Sequence, residues 1–90
     1  MSKKTPFGML LEEILERTFG DWRNKRNWLP RKFSFDTVEN WIDEGTVPQS
    51  NNFLDFLSEL EISESYKEAL RTKFYDLRAD KRRNRAEKPE

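Results

Sequence analysis

The stretch Thr37-Val38-Glu39-Asn40-Trp41-Ile42-Asp43-Glu44-Gly45-Thr46-Val47-Pro48 decides how this chain is read. Val38, Trp41 and Ile42 recur at i, i+3 and i+4, the spacing of a helix with one apolar face. Gly45 then supplies a residue that tolerates a left-handed stop, and Pro48 follows three residues later. Ser34 or Asp36 is placed to cap this helix, and Asp36-x-x-Glu39 has the spacing of a capping box. The outer face is acidic: Asp36, Glu39, Asp43 and Glu44 all lie on or beside it.

Working outward, Thr5-Pro6 reads as an N-cap followed by proline at the first helical position, where its missing N–H costs nothing. Phe7, Leu10, Leu11, Ile14 and Leu15 trace one face of a first helix to about Thr18, with Glu13 and Arg17 able to pair outside it. Gly20 ends that helix. Asp21 can cap a second helix holding Trp22 and Arg26, shortened because Pro30 disfavours an α conformation at Leu29. After the polar turn Pro48–Asn52, the residues Phe53, Leu54, Phe56, Leu57 and Leu60 form the most apolar helix and are expected at the core. Ser63 or Ser65 caps a fifth, in which Tyr66, Leu70, Phe74 and Leu77 share a face. No segment alternates with period two. The expected fold is all-α, a compact bundle of about five short helices. Residues 1–78 form the domain, and residues 79–90 a flexible basic tail.

Composition narrows the chemistry. The 90 residues suit one small domain, and 12 aromatics compensate for a hydrophobic fraction of only 34%. Each aromatic buries on the order of 150–250 Å² when inside. With no Cys and no His, disulfides, thiolate or imidazole zinc sites, and His-dependent nucleophile pairs are excluded. Three glycines make no phosphate-cradling loop, and no cofactor or metal site is expected. Nothing local orients a partner for the acidic clusters, so an enzyme is not the expected class. No apolar run approaches the ~20 residues of a membrane span, and the N-terminus has no signal-peptide core; a cytoplasmic protein is expected.

The net charge of zero conceals segregation. Arg23, Lys25, Arg26, Arg31 and Lys32 against Asp21 leave residues 21–33 at +4. Residues 34–64 contain eight carboxylates and no Lys or Arg, whereas residues 65–90 return to +4. The basic cluster interleaves with Trp22, Trp28 and Phe33, which suits a nucleic-acid surface. Pairing with the acidic segment that follows, within the fold or in a dimer, accounts for it equally well.

A helix ending in Trp-x-x-x-Gly-x-x-Pro, with Phe7-Gly8, Ser34, Thr37-Val38, Trp41-Ile42, Gly45 and Pro48 at matching places, resembles the lambda-repressor-like helix-turn-helix superfamily. Leu54–Ile62 looks like that family's fourth helix and following turn, and the likeness covers residues 5–77. The motif Thr-Val-x-x-Trp-Ile-x-x-Gly-x-x-Pro is also similar to small excisionase-type domains, which normally continue into a β wing that has no counterpart here. The repressor-like resemblance implies a helix-turn-helix core whose third helix enters the major groove of double-stranded DNA. By position, Ser34, Phe35, Asp36, Thr37 and Asn40 would face base edges. Arg23, Lys25, Arg26, Arg31 and Lys32, with Arg82, Arg83 and Arg85 of the tail, would reach phosphates. The segment Asn27–Phe33 departs from the family, lacking the small residue and the turn glycine of its second helix. Two functions follow. One is a DNA-binding transcriptional regulator of phage or mobile-element type, acting as a homodimer. The other is a helix-turn-helix-derived module that binds a protein, such as a transcription factor it inhibits, through Asp36, Glu39, Asp43 and Glu44.

Overall fold

At the start of the chain, Thr5 adopts extended backbone and its hydroxyl accepts a hydrogen bond from the Gly8 amide at 2.9 Å. Pro6 occupies the first helical position, so the two residues launch α1 (Pro6–Phe19) as their sequence dictates. The computed structural model describes residues 4–87, with side chains as far as Ala79. Its order is α1, α2 (Phe35–Asp43), α3 (Ser50–Glu59) and α4 (Glu64–Glu87), with no strand among the described residues. The all-α expectation holds, with four helices in place of five.

The missing element is the second of the expected five, and without it the described chain has no helix-turn-helix core. Gly20 at φ 73° turns the chain out of α1, a conformation costly for any residue with a Cβ. Residues 21–33 then make separate turns, with Lys25 N–H bonded to Asp21 O, Leu29 N–H to Arg26 O and Phe33 N–H to Pro30 O. Only the first of these has the i→i+4 reach of an α-helix. Tertiary burial explains the preference. Trp22 and Trp28 are both buried, and the indole N–H of Trp28 donates to the Trp22 carbonyl at 2.9 Å. A regular helix would commit that carbonyl elsewhere. Trp28 also stacks on Phe19, and Trp22 lies against Phe35, with centroids 5.9 Å apart in each pair. This aromatic cluster pins the segment to the ends of α1 and α2.

The rest of the core follows the sequence spacing. Phe7, Leu11, Ile14 and Leu15 of α1 meet Val38, Trp41 and Ile42 of α2, Phe53, Phe56 and Leu57 of α3, and Leu70 and Phe74 of α4. Phe7, Phe53 and Phe74 form one mutually contacting aromatic trio; Phe33, Trp41 and Phe56 form another. Leu54, expected in the core, is instead 39% exposed, because the inward face of α3 is defined by Phe53, Phe56 and Leu57. The Phe7 face of α1 is set against α2 so closely that a Cβ on Gly8 would lie 2.8 Å from the Trp41 carbonyl oxygen. Among the described residues no charged or polar residue is buried, and no buried side-chain polar atom lacks a partner.

Ser63 caps the last helix, its hydroxyl accepting from the Tyr66 amide at 3.3 Å. Arg78 ties α4 to the loop after α2 by donating to the Pro48 carbonyl at 3.2 Å. The backbone of α4 is helical to Glu87. The side chains of Arg82, Arg83 and Arg85, expected as phosphate contacts on a tail, lie outside those described, as do residues 88–90.

Candidate nucleic-acid interface

Ser34, not Asp36, caps α2: its hydroxyl accepts from the Thr37 amide at 3.2 Å and lies 2.9 Å from the Thr37 hydroxyl. The cap therefore falls two residues before the expected capping box, and Asp36 is left in the first turn, where a carboxylate suits the positive end of the helix dipole. Buried Phe35, Val38, Trp41 and Ile42 define the inner face. Asp36 and Asn40, one turn apart, are consequently exposed, as are Ser34 and Glu44. Phe35 does not join them. Its ring packs on Trp22 and beneath the Arg26 guanidinium, 3.9 Å from the ring centroid, so it supports the surface from below.

One arginine engages two carboxylates of α2. Glu39 and Asp43, also one turn apart, flank the helix on the side facing α1 and the 21–33 segment, and Arg23 spans them. Its Nη1 donates to Glu39 Oε2 at 3.2 Å and Asp43 Oδ2 at 3.0 Å. Nη2 donates to Asp43 Oδ1 at 3.1 Å and to Glu12 Oε2, on α1, at 3.3 Å. Lys4 bonds the other oxygen of Glu12 at 3.0 Å. The guanidinium also covers the Trp22 ring, 4.2 Å from its centroid. A bidentate Arg–carboxylate bond holds both charged forms firmly. The hydrogen bond from Arg23 accordingly keeps the Asp43 carboxyl below its ordinary value despite partial desolvation, and the same bond raises Arg23 above the usual arginine value.

The five cations of the 21–33 segment thus divide. Arg23 is consumed by the network, and Lys32 makes a long, exposed contact with Glu59 at 3.5 Å. Lys25, Arg26 and Arg31 are exposed and bond no carboxylate among the described residues. Arg26 is fixed at the start of α2 by its contact with Phe35 and by a bond from its Nε to the Arg23 carbonyl at 3.3 Å. The structure therefore brings Ser34, Asp36, Thr37 and Asn40 onto one surface beside Arg26 and separates Arg23 and Phe35 from it.

No known protein family, curated protein or solved structure matches this chain.

Elsewhere the described residues offer less. No group of three or more His, Cys, Asp or Glu residues among them is arranged to hold a metal ion, and no helix there is long and apolar enough to cross a membrane. A hollow of about 180 Å³ between the start of α1 and α4 is lined by Pro6, Phe7, Lys73, Asp76 and Leu77. Sequence reasoning identified the charge segregation but not which cation meets which carboxylate. The i, i+4 spacing of Glu39 and Asp43 was the available signal, since one arginine fork fits such a pair.

Proposed function

We propose that this protein binds double-stranded DNA through the exposed face of α2 and the cations of the turn segment before it, as a small regulator without catalytic activity. The division of the basic segment carries this reading. Arg23 offsets Glu39 and Asp43, whereas Lys25, Arg26 and Arg31 of the same segment are exposed and bond no carboxylate among the described residues. Of the three carboxylates on α2 itself, only Asp36 then stands outward without a partner among the described residues, which reduces the main electrostatic objection to DNA. A helix about 10–12 Å across with its side chains matches a major groove about 12 Å wide, and the nine residues of α2, at ~1.5 Å each, would run about 13.5 Å within it. Phosphate contacts would position the helix, and Asn40 would read an adenine edge. The platform is a turn segment locked by Trp22 and Trp28, not a bracing helix.

Fluorescence anisotropy with a labelled duplex tests this directly. The triple variant K25A/R26A/R31A should lose most of the affinity at low salt, and the slope of log K against log[salt] should flatten by about 2.7. Unchanged affinity and slope would refute the proposed surface.

A second reading rests on Asp36, exposed in the first turn of α2 with no partner among the described residues. In it the acidic face engages a basic protein. Asp36→Lys separates the two: DNA binding should tighten, and binding to a basic protein should weaken.

A further inference from the structure

We infer that Arg23 is a positioning residue for DNA binding, masking the acidic flank of α2 so that the helix can approach a polyanion, and is not itself a phosphate contact. The inference rests on the DNA reading and adds to it the device that makes an acidic helix usable. Both terminal nitrogens of Arg23 are committed, four hydrogen bonds running to Glu12, Glu39 and Asp43. Its guanidinium face is covered on one side by Trp22. No fork remains to present to a phosphate. Glu39 and Asp43 line the flank of α2 that adjoins the exposed Asp36–Asn40 face, and the same segment that supplies Arg23 supplies Lys25 and Arg26. One stretch of chain thus offsets the helix's own carboxylates and offers cations to the ligand. Unmasked, the two flank carboxylates would stand close enough to DNA phosphates to repel them within one Debye length, about 10 Å at 0.1 M salt.

The experiment compares wild type, R23A, R23K and R23A/D43N on a labelled duplex at about 50 mM salt, at a temperature where circular dichroism shows every variant folded. R23A should bind on the order of tenfold more weakly. R23A/D43N, which restores the wild-type net charge without restoring the arginine, should return to within about twofold of wild type, as should R23K, which keeps the charge and loses the fork. Nitrogen-detected NMR on the wild type should show the Arg26 guanidinium shifting on DNA addition while that of Arg23 stays in place. A merely structural role would leave the affinity of folded R23A unchanged and so overturn the inference. A deficit that persists in R23A/D43N, with a DNA-induced shift at Arg23, would make Arg23 a phosphate contact, overturning the inference while leaving the DNA reading intact. Failure of the wild type itself to bind would remove both.

Discussion

Gly8→Ala tests whether α1 and α2 approach as closely as described. In an exposed helix the change should stabilise, since alanine exceeds glycine by about 1 kcal/mol in helix propensity. Here the added Cβ would stand 2.8 Å from the Trp41 carbonyl oxygen and 3.2 Å from both the Cα and the carbonyl oxygen of Ile42. All three are backbone atoms of α2 and cannot rotate aside. Restoring ordinary contact at about 3.4 Å requires the helices to part by roughly 0.6 Å, and overpacking of this kind costs about 1–3 kcal/mol. Because all three contacts are backbone, the clash should lie in the upper part of that range, about 2–3 kcal/mol, and after the propensity gain leave a net loss of about 1–2 kcal/mol. For a domain this size each kcal/mol moves Tm by about 4–8 °C. Thermal unfolding followed at 222 nm should therefore show Tm falling by roughly 4–16 °C. A Tm equal to or above that of the wild type would mean that α2, and the candidate surface it carries, sits farther from α1 than the fold requires.

Three further outcomes are expected. Trp28→Phe removes the indole N–H from the buried Trp22 carbonyl and should cost about 1–3 kcal/mol in urea unfolding; a smaller loss would argue that the turn segment is not locked by that bond. Asp43, whose carboxyl is held low chiefly by its hydrogen bond from Arg23, contributes stability that is complete above its ordinary pKa and disappears as pH falls through the depressed value. Asp43→Asn should accordingly be less stable than wild type at pH 7, and should lose less stability than wild type between about pH 5 and pH 2; parallel pH profiles would deny the coupling. Asn40→Ala should alter sequence preference by about 1–3 kcal/mol at the position it reads, and an equal loss on every duplex would take Asn40 out of the readout.

The parts of the fold governed by local chemistry were legible in the sequence. Thr5-Pro6 starts α1, Gly20 ends it, and Val38, Trp41 and Ile42 define the inner face of α2, each as the spacing implies. Two nearby candidates competed to cap α2, and Ser34 prevailed over Asp36 because Phe35 enters the helix as a core residue. The turn segment was less legible. Its path depends on Trp22, Trp28 and Phe35 finding one another and on an indole donor meeting a carbonyl six residues earlier. Helix propensity and capping rules carry no information about such contacts. Pro30 marked the segment as a poor helix without specifying what replaced it. The acidic helix posed the same problem: composition displayed the charges, but only their placement around Arg23 separates the engaged carboxylates from the outward Asp36.

The central claim is that α2 and the cations beside it that bond no carboxylate form an electrostatic surface for DNA. Anisotropy of the wild-type protein with mixed duplex DNA, taken from about 25 to 300 mM salt, tests it most directly. The account predicts a linear fall of log K against log[salt], with a slope of about −2.7 if Lys25, Arg26 and Arg31 make the phosphate contacts alone. The slope should steepen toward about −5.4 if Arg82, Arg83 and Arg85 join them. A folded protein that binds no duplex even at the lowest salt would contradict the account and turn attention to the acidic face as a surface for protein.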